Sequence, residues 1–177
     1  MPIEHLLSSL PFLAVEVGRL SFEFLGPELL TDGVVDLRLS GRKEADPEKG
    51  HSPMYEYRIT LHGSEVPIGG INLRVGSGPS FLTSGHIGYG VEEAHRGHHY
   101  AARACLLIGE VALRHGLTPL LITCAPENIA SRRTLERLGG KLLGIYDVPV
   151  DHEMYQRGRR KVCRYEWTPQ PLSRKGP

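Results

Sequence analysis

The segment from His86 to Ala125 restricts the fold more than any other part of the chain. HIGYGV (86–91) is a short strand of alternating side-chain size, and the polar, glycine-containing EEAHRGHH follows it. Residues 100–115 then place apolar side chains at 101, 104, 105, 108, 111 and 112, three and four apart, which is one face of an amphipathic helix. Gly116 stands where a helix C-terminus favours glycine. LLITCA (120–125) is a continuous apolar run, the pattern of a strand buried on both faces. Two strands joined by such a helix imply a parallel crossover, so the chain is α/β.

Upstream, VVDLRLS (34–40) alternates as a strand does, and 41–53 is a charged loop rich in Gly and Pro. YEYRITLHGSEVPIGGINLRVG reads as a hairpin with strands 55–62 and 66–75, and Gly69-Gly70 signals a bulge or a close backbone approach. SGPSFLTSG is a turn. Downstream come a second helix, IASRRTLERLGG, closed by Gly139-Gly140, a strand KLLGIYDVP, a polar hairpin tip DHEMYQRGRR and a last strand KVCRYEWTP. The predicted architecture is a mixed, mostly antiparallel sheet with one parallel pair and flanking helices. Residues 1–32 show no clean period, and Pro11 interrupts any long helix, so they form an extension of uncertain structure. The domain runs 33–168, and 169–177 is a Pro- and charge-rich flexible tail.

A chain of 177 residues fits one domain that can bury a core without staples. Its net charge of +1 argues against a nucleic-acid surface. Cys105, Cys124 and Cys163 are widely spaced and form no CxxC pair, which suggests neither a disulfide framework nor a zinc site; Cys105 and Cys124, in apolar segments, read as small buried hydrophobes. No basic leader precedes the first apolar residues and no apolar run is long enough for a membrane span, so the expectation is a cytoplasmic protein without a membrane partner.

The turn before the long helix asks for more than packing. A helix N-terminus presents unpaired N–H groups and partial positive charge, which attract anions. Gly97 lets the backbone approach a ligand, and Arg96 can fork onto phosphate. The reading is a pyrophosphate cradle; the alternative is a loop whose Gly and Arg serve only turn geometry. Neither GxxxxGK[ST] nor GxGxxG is present. His95, His98 and His99 lack carboxylate or cysteine partners for a metal, and His98 and His99 fit better as cationic supplements to phosphate.

VEEAHRGHHYAARACLLIGEVA resembles the acetyl-CoA motif of the GNAT acetyltransferase superfamily. That motif runs Gln or Arg, two residues, Gly, one residue, then Gly or Ala. Here it reads Arg96-Gly97-His98-His99-Tyr100-Ala101, with His99 in place of the motif's glycine. LLITCAPENIASRRTLERLGGKLLG is similar to the family's next strand, turn, helix and strand, and the likeness extends over roughly 34–168. GGINLR, HIGYGV, ENIASRRTLERLGG and RYEW resemble a bacterial branch of predicted acetyltransferases. The resemblance implies acetyl-CoA as co-substrate and no metal. Pantetheine would lie between two splayed strands, against backbone around Gly90, Val91 and Glu92, and the thioester oxyanion would be held near Val91. Amides from Gly97 through His98, His99 and Tyr100 to Ala101, with Arg96, would hold the pyrophosphate. Asn128, Ser131 and Arg132 would assist from the second helix, although Asn128 equally suits a helix cap and Arg132 a solvated face.

The activity implied is direct acetyl transfer to a primary amine of a small molecule or peptide. The tyrosine acid that members often carry one residue before the second helix's glutamate is Leu135 here. Candidate bases are Glu92 and Glu93, which also suit a solvated turn. Tyr89 is a candidate acid that could instead pack, and His86 a candidate base that could instead be a strand surface residue. A rival reading is a CoA-binding or interaction domain without catalysis. Exposed strands near the C-terminus could pair two copies into a homodimer.

Overall fold

The computed structural model describes residues 22–172, and the expectations for 1–21 and 173–177 lie outside them. Five strands, β1 (Leu29–Thr31), β2 (Val35–Lys43), β3 (Met54–Leu61), β4 (Pro67–Arg74) and β5 (Ile87–Val91), form one antiparallel sheet in sequence order. Three more, β6 (Leu120–Cys124), β7 (Lys141–Asp147) and β8 (Lys161–Trp167), form a second antiparallel sheet in the order β6-β8-β7. The long helix α2 (Tyr100–Arg114) joins β5 to β6 and α3 (Ile129–Arg137) joins β6 to β7; the one-turn helices α1 (Phe81–Ser84) and α4 (Glu153–Gln156) lie in segments expected to be a turn and a hairpin tip.

Period-two alternation divides the larger sheet. Leu37, Tyr57, Ile59, Ile71 and Leu73 turn inward and are at most 3% exposed. Helix α2 closes over them with Ala104, Cys105, Leu107, Ile108, Val111 and Ala112, all essentially fully buried. Each large apolar side chain buried this way contributes about 1.5–3 kcal/mol, so the seam between α2 and the sheet is the main stabilising layer. All three cysteines are buried, and burial lifts the Cys124 thiol to about 11, so it stays protonated.

The structure corrects the sequence reading in several places. Strand β2 runs through 43, past a bulge between Leu39 and Gly41, into the stretch expected to be loop. Phe22, Phe24 and Gly26 pack on the sheet: Phe22 stacks on His115 and the Gly26 N–H donates to the Tyr55 hydroxyl at 2.9 Å. Strand β6 is not buried on both faces, because Leu121 and Thr123 are half-buried and the Thr123 hydroxyl donates to the Thr83 carbonyl. The parallel pair forms no ladder; β5 and β6 belong to different sheets and are tied where β5 begins, by the His86 N–H donating to the Leu121 carbonyl at 2.6 Å. Gly69 fulfils the expected close approach, since a β-carbon there would lie 2.3 Å from the Gly90 carbonyl oxygen.

Candidate functional site

The site is the gap that opens as β5 and β6 diverge. The Glu92 N–H donates to the Ile68 carbonyl at 2.9 Å, back toward β4. Strand alternation therefore turns the polar groups of Val91 the other way, into the gap, where its carbonyl accepts from Arg96 Nε at 3.0 Å. Glu92 and Glu93 follow at the mouth, exposed and without an ion pair among the described residues.

A turn of 3-10 helix (Glu93–His95) leads to Arg96, Gly97 (φ +88°), His98 and His99 (φ +63°) before α2 begins. The first α2 bond is from the Arg103 N–H to the His99 carbonyl at 3.2 Å. Among the described residues, the N–H groups from Gly97 to Ala102 meet no protein acceptor. Six consecutive donors thus stand unpaired at the positive end of a fifteen-residue helix, where anions are favoured. His99 is the one non-glycine residue with positive φ among those described. A β-carbon in that conformation costs about 1–2 kcal/mol, which is the physical reason a glycine suits this motif position. His98 stacks on Tyr100 with 5.4 Å between ring centroids, and Tyr100 packs against the core. Ala101 is half-buried in the first turn.

Across the gap, Asn128 caps α3, its Oδ1 accepting from the Ser131 N–H at 3.0 Å. The Ser131 carbonyl accepts from the Tyr89 hydroxyl at 3.3 Å, so one hydrogen bond spans from β5 to α3. Burial, reinforced by Cys105, pushes the Tyr89 phenol well above its ordinary value, leaving it protonated. Leu135 is fully buried, so no acid comes from that helix position. Arg132 turns back, its Nη1 donating to the Pro126 carbonyl at 3.4 Å.

His86 does not reach the cleft as a base. It is 6% exposed, its Nδ1 accepts from the Leu121 N–H at 2.9 Å, and its Nε2 lies 3.2 Å from the Gly76 carbonyl. Burial holds its pKa below the usual histidine value. The neutral ring fastens β5 to β6 at the closed end of the gap. Among the described residues no group of three or more His, Cys, Asp or Glu side chains comes together as metal ligands, and no helix is long and apolar enough to cross a membrane.

Sequence reasoning passed over Arg58, Asn72 and Gly88, which lie with Gly70 on the outward face of β3, β4 and β5. The alternation that turns Tyr57, Ile59 and Ile71 inward was the available signal.

The model of the acetyltransferase (GNAT) domain matches residues 16–141. The chain belongs to this GNAT acetyltransferase family. Solved structures share the fold. A probable GNAT-family acetyltransferase from Chromobacterium violaceum matches with TM-score 0.60 and 17% identity over 90% of this chain and 94% of that one. Mycobacterium smegmatis RimJ in complex with CoA-disulfide matches with TM-score 0.52 and 21% identity over 72% of this chain, which spans only 57% of RimJ. RimL, a ribosomal L7/L12 alpha-N-protein acetyltransferase, matches with TM-score 0.56 and 14% identity over 80% of this chain and 94% of that one. Comparison with curated proteins finds no match. In this GNAT chain the diverging strands and the donor-rich turn stand together.

Proposed function

We propose that the protein moves an acetyl group from acetyl-CoA to a primary amine by direct attack. The observation that carries this reading is the run of free N–H groups from Gly97 to Ala102 beside the gap between β5 and β6. These amides and Arg96 hold the pyrophosphate, with His98, His99 and Tyr100 at its edge. The backbone of Gly90 and Val91 lines pantetheine as an added strand would. Asn128 and Ser131 close the far side of the gap, while Arg132 stays on Pro126. The Val91 N–H points into the gap and stabilises the developing oxyanion. The amine attacks the thioester carbonyl, the C–N bond forms, the C–S bond breaks, and the thiolate leaves with a proton. Tyr89, protonated at neutral pH and supplied from β5, takes the acid's place that Leu135 leaves empty. Glu92 and Glu93 at the mouth receive the amine's proton. Acetyl-CoA as donor agrees with a cytoplasmic setting. RimL acts on a protein α-amine, which makes a peptide amine one acceptor class alongside small molecules.

A second reading, CoA binding without transfer, draws on His99 in the cradle and Leu135 on α3. Calorimetric titration with acetyl-CoA decides first. Binding in the micromolar range that collapses in Arg96→Glu supports the cradle, and absence of binding to the wild type ends both readings. Thiol release dependent on an added amine then separates transfer from binding alone.

A further inference from the structure

On the face of the five-stranded sheet away from α2, the short helix α1 reaches one end, where Arg74 Nη1 donates to the Ser84 carbonyl at 3.3 Å. One cross-strand row on this face reads Arg38, Arg58, Gly70, Gly90 from β2 to β5, each directly opposite the next. The adjacent row brings Glu56, Asn72 and Gly88 into line. Toward β5 the face is therefore a floor of three glycines, Gly70, Gly88 and Gly90, with Asn72 standing beside Gly88. Toward β2 it rises into two guanidiniums.

That arrangement is poor packing and good recognition. Like charges directly opposite on an antiparallel ladder repel. Arg38 is occupied by Glu65 at 3.1 Å and lies 3.6 Å from Asp36, and Glu28 is occupied by Arg42 at 2.7 Å. Arg58 has no ion pair among the described residues. Arg38, Arg58 and Thr60 line one cavity of about 490 Å³ with Glu28, Leu29, Leu39, Ser40 and Glu65. Thr60 is fully buried, and its hydroxyl has no partner. Five buried side-chain polar atoms lack partners among the described residues, and three of them, Arg38 Nε, Thr60 Oγ1 and Asn72 Oδ1, lie on this face. Buried polar groups are normally paired, so unpaired ones gathered on one face mark where a ligand supplies the partners.

We propose that this face is the acceptor platform and that the acceptor amine carries a carboxylate. Arg58 and the Thr60 hydroxyl hold the carboxylate in the cavity, and the amine lies over Gly70 and Gly90 beside Asn72, at the strand that borders the gap. The assignment rests on the acetyl-transfer reading above. The row Arg58, Gly70, Gly90 spans two strand spacings, about 10 Å, which suits an amine several bonds from its carboxylate. One unpaired guanidinium, flanked by Glu28 and Glu65, matches a single negative charge better than a phosphate dianion. The carboxylate can belong to a free diamino acid or to an acidic side chain near a peptide's N-terminus.

Matched acceptors test this. Lysine is compared with cadaverine, its analogue without the carboxylate, and the C-terminally amidated peptide Ala-Glu-Ala-Ala with Ala-Ala-Ala-Ala. Thiol release is measured on wild type, Arg58→Gln and Arg58→Lys. The expected result is about tenfold or greater preference in kcat/KM for the carboxylate member of one pair. Which pair shows it identifies the source. Arg58→Gln removes the preference through KM and leaves the uncharged member unchanged, and Arg58→Lys restores part of it. Equal rates within both pairs, or an equal fall for both members in Arg58→Gln, overturn the platform while leaving acetyl transfer standing. The same four compounds are titrated onto ¹⁵N-labelled protein, following the amides of Gly70, Gly88 and Gly90. Arg58-dependent shifts without turnover keep the carboxylate site but sink the transferase reading and, with it, the site's role as acceptor platform; with neither carboxylate-dependent shifts nor turnover, the platform is overturned.

Discussion

The two faces of the five-stranded sheet are built from the same strands, one residue out of step, and they obey different rules. On the covered face Tyr57, Ile59, Ile71 and Leu73 are buried under α2, and each contact serves cohesion. On the open face the neighbouring positions hold Arg58, Gly70, Asn72 and Gly88, with glycines where side chains should be and polar atoms without partners. Hydrophobic burial selects the first set, and it cannot select the second. A surface that is costly for stability yet assembled row by row is better explained by what binds it.

That contrast can be broken by adjacent substitutions. Ile59→Ala, on the covered face, should cost about 2–5 kcal/mol in urea unfolding, whereas Arg58→Ala next to it should stay within about 0.5 kcal/mol; comparable losses would erase the distinction. Tyr89→Phe projects from the covered side into the gap. It should lower kcat by about a hundredfold while acetyl-CoA affinity from calorimetry stays near wild type, and an unchanged kcat would remove Tyr89 as the acid.

His99→Gly should raise stability by up to about 1 kcal/mol, read as a higher urea midpoint, by relieving the left-handed conformation at the mouth of α2. The His86 clasp sharpens the picture through pH. Its folded pKa is depressed by burial, so the unfolded chain takes up the proton first, and stability present at neutral pH is lost as pH falls below about 6.5. Unfolding midpoints at pH 7.5 and 5.5 should differ less in His86→Asn than in wild type. The smallest expected change in stability is Gly70→Val. A β-carbon there meets only the Tyr57 carbonyl oxygen at 3.7 Å, and valine suits a strand. The fold should be unharmed while acceptor KM rises and acetyl-CoA binding is untouched. Unchanged acceptor kinetics would mean that nothing lies on the glycine floor.

Much of this was legible in the sequence because it depends on local periodicity. The spacing of 101, 104, 105, 108, 111 and 112 found α2, and Gly97 marked the turn that leads into it. Other readings failed where long-range contacts decide. His86 read as a candidate base or a strand surface residue, but the Leu121 N–H and the Gly76 carbonyl, distant in sequence, consume its ring. The packed segment around Phe22 was hidden because it borrows its burial from Tyr55 and His115 rather than from a period of its own.

By itself the sequence determined the inward face of α2, that helices follow β5 and β6, and that a glycine-containing turn precedes α2, since these follow from side-chain period and backbone freedom within a few residues. Only the tertiary structure decided that β5 and β6 part into separate sheets, that Tyr89 meets Ser131 across the gap, and that Arg38, Arg58, Gly70 and Gly90 line up in one row. Register and splay are set by which strands pair and what packs between them, and no local pattern carries that information.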